Sequence, residues 1–149
     1  MSKNMIWLGP VDGPNTKGLS VEGIATEACV PGSVLDFAAA NAGLELADDA
    51  ATVFGKLSLV ADKDQMRSLP VTTAWTIGGT MVAIQPRSGE LVNVLVITGQ
   101  AIKRGTALCR SATPGALKIA ATDGTDDIFG YSDEIITTDA TELVRVRIA

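Results

Sequence analysis

The chain has 149 residues, a length that suits one domain or two small β modules sharing a core. Its 46% hydrophobic content excludes a disordered polymer, and a formal charge of −5 without a basic face argues against nucleic acid as a partner. Charged residues make up only 19%, and a surface so poor in charge is expected to be partly covered in the working state.

The first 23 residues read as an extended arm, because Gly9, Pro10, Gly13, Pro14, Gly18 and Gly23 interrupt any helix or long strand. Within it Ile6, Trp7 and Leu8 form an apolar trio that calls for cover. Two readings stand side by side: the trio tucks against its own domain, or it docks on a neighbouring subunit as an added strand. Residues 24–149 then form the β-rich body.

Residues 33–43 are locally ambiguous. Ser33 at an N-cap, Asp36 at N3 and Gly43 beyond the end describe a short helix, and the alanines favour it. The alternative is a strand Val34–Phe37, a turn around Asn41-Ala42-Gly43 and a strand Leu44–Ala47. A weak repeat favours the strands. Gly32-Ser-Val-Leu35 matches Gly105-Thr-Ala-Leu108, and Leu44-Glu-Leu46-Ala47 matches Leu117-Lys-Ile119-Ala120. It continues, after a deletion, with Asp48-Asp49…Val53-Phe54-Gly55 against Asp126-Asp127-Ile128-Phe129-Gly130.

Alternation puts Val71, Thr73, Trp75 and Ile77 on one face of a strand, and Gly78-Gly79 suits a hairpin turn into Thr80–Gln85. Pro86-Arg-Ser-Gly-Glu90 reads as a second turn, leading to Leu91–Ile97, apolar on both faces and therefore central in a sheet. Together these predict a three-stranded meander from Val71 to Thr98. At the end of the chain Val144, Val146 and Ile148 alternate inward with Arg145 and Arg147 outward.

Chemistry is sparse. The chain has no histidine, which removes the commonest general base and the commonest metal ligand together. Asp48-Asp49 and Asp123-Gly-Thr-Asp126-Asp127 read as solvated turn carboxylates, since a calcium loop needs alternating oxygen ligands and a terminal Glu. Lys103-Arg104 is the one basic pairing. Cys29 and Cys109 are expected as reduced, buried thiols, with a disulfide left open because only their separation decides it. No P-loop, GxSxG, HExxH or GxGxxG motif occurs. Neither catalytic residue, cofactor site nor metal site is assigned, and an enzyme is not expected. Nothing approaches the roughly 18 apolar residues of a membrane span. Met1-Ser-Lys-Asn4 lacks a signal peptide's hydrophobic region, so synthesis in a reducing cytosol is expected.

The stretch Trp75-Thr-Ile-Gly-Gly-Thr through Pro86-Arg-Ser-Gly-Glu90 to Gly99-Gln-Ala-Ile-Lys-Arg-Gly105-Thr-Ala-Leu108 resembles the capsid decoration (cement) proteins of tailed phages. Pro31-Gly-Ser-Val-Leu35, Phe54-Gly55…Ala61-Asp62-Lys-Asp-Gln65 and Leu143-Val-Arg-Val-Arg-Ile148 are similar to the same family. The resemblance implies a virion protein made in the host cytoplasm and bound to the outer capsid surface, bridging major capsid protein subunits. It implies a homo-oligomer, a homotrimer ahead of a homodimer; from the charge and the lack of a long apolar run, no nucleic-acid or membrane partner is expected. Ile6, Trp7 and Leu8 become the capsid-binding candidates. The fold expected is mainly β: a β-tulip or jelly-roll-like barrel with an N-terminal arm, two related β halves being one form of it. The alternatives are another virion part, a head fibre or tail-associated adaptor, or a carbohydrate- or ligand-binding β-barrel.

Overall fold

A computed structural model describes residues 3–9, 19–38, 43–49, 59–122 and 124–149. The fold is all-β, built from two closed five-stranded barrels. The first comprises β2 (Leu19–Ala25), β3 (Val34–Phe37), β4 (Gly43–Leu46), β5 (Leu59–Ala61) and β6 (Thr80–Gln85). The second comprises β7 (Leu91–Val96), β9 (Ala107–Arg110), β10 (Leu117–Ile119), β11 (Ile128–Ser132) and β13 (Glu142–Ile148). A short β1 (Trp7–Gly9) lies antiparallel on β7, and β8 (Ala101–Ile102) pairs with β12 (Ile136–Thr137).

The two barrels are copies of one plan. In each, the first strand runs parallel to the third and antiparallel to the fifth, and the second strand pairs with the third and the fourth. The registers agree residue by residue. Leu35↔Leu46 and Phe37↔Leu44 correspond to Leu108↔Ile119 and Arg110↔Leu117. Val34↔Val60 and Val60↔Ile84 correspond to Ala107↔Tyr131 and Tyr131↔Arg147. Val21↔Ala83 corresponds to Val92↔Val146.

Irregular features are duplicated too. The bridge Cys29↔Trp75 occupies the place of Ile102↔Ile136. The Glu27 carboxylate accepts the Leu46 N–H, just as the Gln100 side-chain oxygen accepts that of Ile119, both at 2.9 Å. Gly32 and Gly105 each donate N–H to the end of the fourth strand, at Ala61 and Ser132. Both adopt positive φ, 89° and 84°, a conformation that favours glycine.

This settles residues 33–43 as far as they are described: strand Val34–Phe37 forms and β4 begins at Gly43, while residues 39–42 lie outside the described residues. The first two matches of the sequence repeat fall on β3/β9 and β4/β10. The third is corrected. The partner of β11 is β5, since Leu59 pairs with Leu35 as Gly130 pairs with Leu108; residues 53–55 lie outside the described residues.

The predicted meander is also corrected. Val71–Ile77 is not a strand; it is a series of turns tied to the barrel by Trp75, whose backbone bridges Cys29 and whose Nε1–H donates to the Asp62 carbonyl at 2.7 Å. Strands β6 and β7 follow each other in sequence but sit in different barrels. The turn at residues 86–90, where the Glu90 carboxylate accepts the Arg87 N–H, carries the chain from one barrel to the next. Alternation marks a strand; it carries no information about which strand pairs with it.

Each barrel has its own interior. Ala25, Cys29, Leu35, Leu44, Leu59, Met81 and Ala83 fill the first. Val92, Val94, Ile102, Leu108, Leu117, Val144 and Val146 belong to the second cluster, as the C-terminal alternation predicted. That cluster also holds Val34, Val60 and Ile84, which point out of the first barrel in one cross-strand row. These three are fully buried, and burial of such side chains contributes roughly 1.5–3 kcal/mol each.

The cysteines are free and buried, one in each barrel. Burial, with the Glu27 carboxylate second, raises the Cys29 pKa from 9.0 to about 11. Burial raises Cys109 to about 11 as well, helped by its hydrogen bond to Asp126. The unfolded thiols ionise near pH 9 while the folded ones stay protonated until about 11. Stability is therefore expected to be whole below pH 9 and to decline as pH rises towards 11. An aromatic disulfide reagent at pH 8 should label the native chain far more slowly than the chain in denaturant; equal rates would contradict buried thiols.

Candidate assembly surfaces

Among the described residues, no group of three or more Cys, Asp or Glu side chains is arranged to hold a metal ion. In the acidic loop, the Asp126 carboxylate serves the local backbone by accepting the Ala121 N–H at 2.7 Å; Asp123 lies outside the described residues. Two surfaces stand out.

The first is the joint between the barrels. The Gly32 carbonyl accepts the Leu95 N–H (2.9 Å), and Val34 N–H donates to the Gly115 carbonyl (2.9 Å). Gly115 N–H in turn donates to the Ala47 carbonyl (2.7 Å). A Cβ at Gly32 would collide with the Leu143 side chain, and one at Gly115 would press on Leu46 and Ser33. The barrels thus meet backbone to backbone. Arg110 closes one side with a bidentate pair to Asp36 at 2.7 and 2.8 Å, both side chains largely shielded.

The N-terminal segment is woven into this joint. Asn93 N–H donates to the Ile6 carbonyl (2.8 Å), and the Asn93 side chain donates to the Met5 carbonyl (2.6 Å). Lys3 pairs with Glu134 and donates to the Leu143 carbonyl. Of the trio singled out from sequence, Ile6 is 1% exposed and belongs to the joint's core. Trp7 is half-buried against that core, with its Nε1–H buried and unpartnered, and Leu8 points outward. The expected boundary at residue 23 falls inside β2, because Leu19 to Ile24 pair with β6; residues 10–18 lie outside the described residues. A groove of about 590 Å³ opens beside the joint, lined by Lys3, Val30, Pro31, Leu95, Ile136 and Leu143 among others.

The second surface is the outer wall of the second barrel. Asp133 lies 3.2 Å from Arg145 Nε, 3.7 Å from Arg147 Nη2 and 4.0 Å from Arg104 Nε. Three guanidinium groups around one carboxylate leave this wall positive in a chain that is acidic overall. Tyr131 lies beside Arg147 and is 43% exposed. Sequence patterning put Arg145 and Arg147 outward. Tyr131 carries no such local signal, and its equivalence to Val60 emerges only from the strand registers, because the sequence repeat aligns this stretch elsewhere.

The fold is similar to that of the N base of head fibre gp8.5 of bacteriophage phi29, with a TM-score of 0.53 and 17% sequence identity over 88% of this chain and 93% of that one. No family model matches the sequence, and no curated protein does.

Proposed function

We propose that this chain is a structural component of a phage virion, attached to the outside of the head. The observation that carries this reading is the fold match to the head-fibre base, which extends over 88% of this chain and so reaches into both barrels. It supports a head-fibre base ahead of a freestanding cement protein. The cement reading draws on the sequence resemblance running from Trp75 to Leu108 and on the low share of charged residues. In both readings the chain holds by adhesion: several copies, each bound weakly to major capsid protein, dissociate slowly as a unit.

The capsid-facing candidates remain Ile6, Trp7 and Leu8. Ile6 lies in the chain's own core, so a docking role falls to the half-buried Trp7 ring and the outward Leu8 side chain. The test is co-sedimentation of the purified chain with expanded, emptied heads, beside reconstruction of whole particles. Binding and density on the outer shell are expected, and Leu8→Asp should weaken binding without lowering the thermal midpoint. Absence from purified particles would remove the reading.

A further inference from the structure

The duplication exposes a mismatch between the two barrels. The row Val34–Val60–Ile84 on the first barrel is fully buried by the second. The corresponding row on the second barrel, Ala107–Tyr131–Arg147, faces outward, with Tyr131 43% exposed. Gly105 has the backbone conformation of Gly32, yet nothing lies within 4 Å of where its Cβ would be, whereas Gly32 abuts Leu143 and the Asn93 carbonyl. The wall that the first barrel uses at the joint is thus present on the second, without its counterpart.

The receiving side is vacant in the same way. At the joint the Asn93 and Leu95 N–H groups of β7 donate to the carbonyls of Ile6 and Gly32, and Leu143 covers Gly32. Their equivalents on the first barrel are Glu22, Ile24 and Thr80. All three are exposed, Ile24 at 47%. Among the described residues no strand pairs with the outer edge of β2 between Leu19 and Gly23. An exposed strand edge flanked by Leu19 and Ile24 invites a partner.

We infer that the internal joint recurs between chains: the Tyr131 wall of one copy seats on the β2 edge of the next, with Gly105 and Ile24 in the places of Gly32 and Leu95. A second copy is the occupant because the two faces match the two sides of a joint the chain already makes. Their charges are complementary as well, with Glu22 on one face and Arg145 and Arg147 on the other. The contact is heterologous, head to tail, so it leads to a closed ring when its rotation closes. These are the surfaces of the self-association implied above, but their contact does not depend on head binding. A chain that assembles this way yet is missing from particles keeps the joint and loses the virion reading.

Light scattering after size exclusion tests it with the full chain. Wild type should run as a multimer, and Tyr131→Glu and Ile24→Glu should each run as folded monomers with wild-type far-ultraviolet circular dichroism, since both positions are solvent-exposed in the single chain. Each variant retains one intact face, so an equimolar mixture should form a one-to-one pair that grows no further. Glu22→Arg should dissociate the multimer, and adding Arg147→Glu should restore it, an arm that holds even where a glutamate variant folds poorly. A monomeric wild type, variants of wild-type mass, or a mixture that forms no pair would each overturn the inference.

Discussion

Ile6→Ala is expected to destabilise the chain by about 2–5 kcal/mol, the usual cost of emptying a buried isoleucine site. The side chain lies between the barrels, among the residues of the larger core, and touches the Gly32 position directly. Collapse to fill the void is restricted, because the surrounding backbone is held by Gly32–Leu95 and Ile6–Asn93 hydrogen bonds. Chemical denaturation should show a lower midpoint with an unchanged slope. Leu8→Ala, two positions along but facing outward, should change stability little. Equal effects at the two positions would mean that the N-terminal segment is not seated as described.

Asp36→Ala should cost about as much, near 3 kcal/mol, the lower end of the range for removing one member of a shielded ion pair. The loss leaves Arg110, 18% exposed, without its bidentate acceptor at the edge of the joint. Replacing both partners, as in Asp36→Leu with Arg110→Met, should recover most of the stability, because the apolar pair carries no desolvation cost. The two single variants and the double variant form a cycle; a coupling energy near zero would show that the pair does not fasten the barrels.

Both expectations turn on the joint, and the joint was the least legible part of the sequence. What local order dictates was readable. Val34–Phe37, the β4 region, Leu91–Val96 and Glu142–Ile148 are strands because their alternation and turn residues leave little else, and the two strongest matches of the repeat mark real structural copies. The buried state of both thiols also follows from composition and context. Partnership was not readable. Val71–Ile77 alternates like a strand, yet its alternation serves one bridge and a tryptophan packed against the first barrel's core.

The candidate surfaces show the same division. Sequence alone determined that the chain is β-rich, weakly duplicated, free of histidine and equipped with an apolar N-terminal trio. Only the tertiary structure decided that Ile6 faces inward while Leu8 faces outward, and that β6 and β7 separate into two barrels. It alone decided that Tyr131 holds on one barrel the place that Val60 holds on the other. The reason is physical: periodicity reports which faces of a segment avoid water, whereas pairing and docking depend on residues far apart in the chain that meet only when the barrels close.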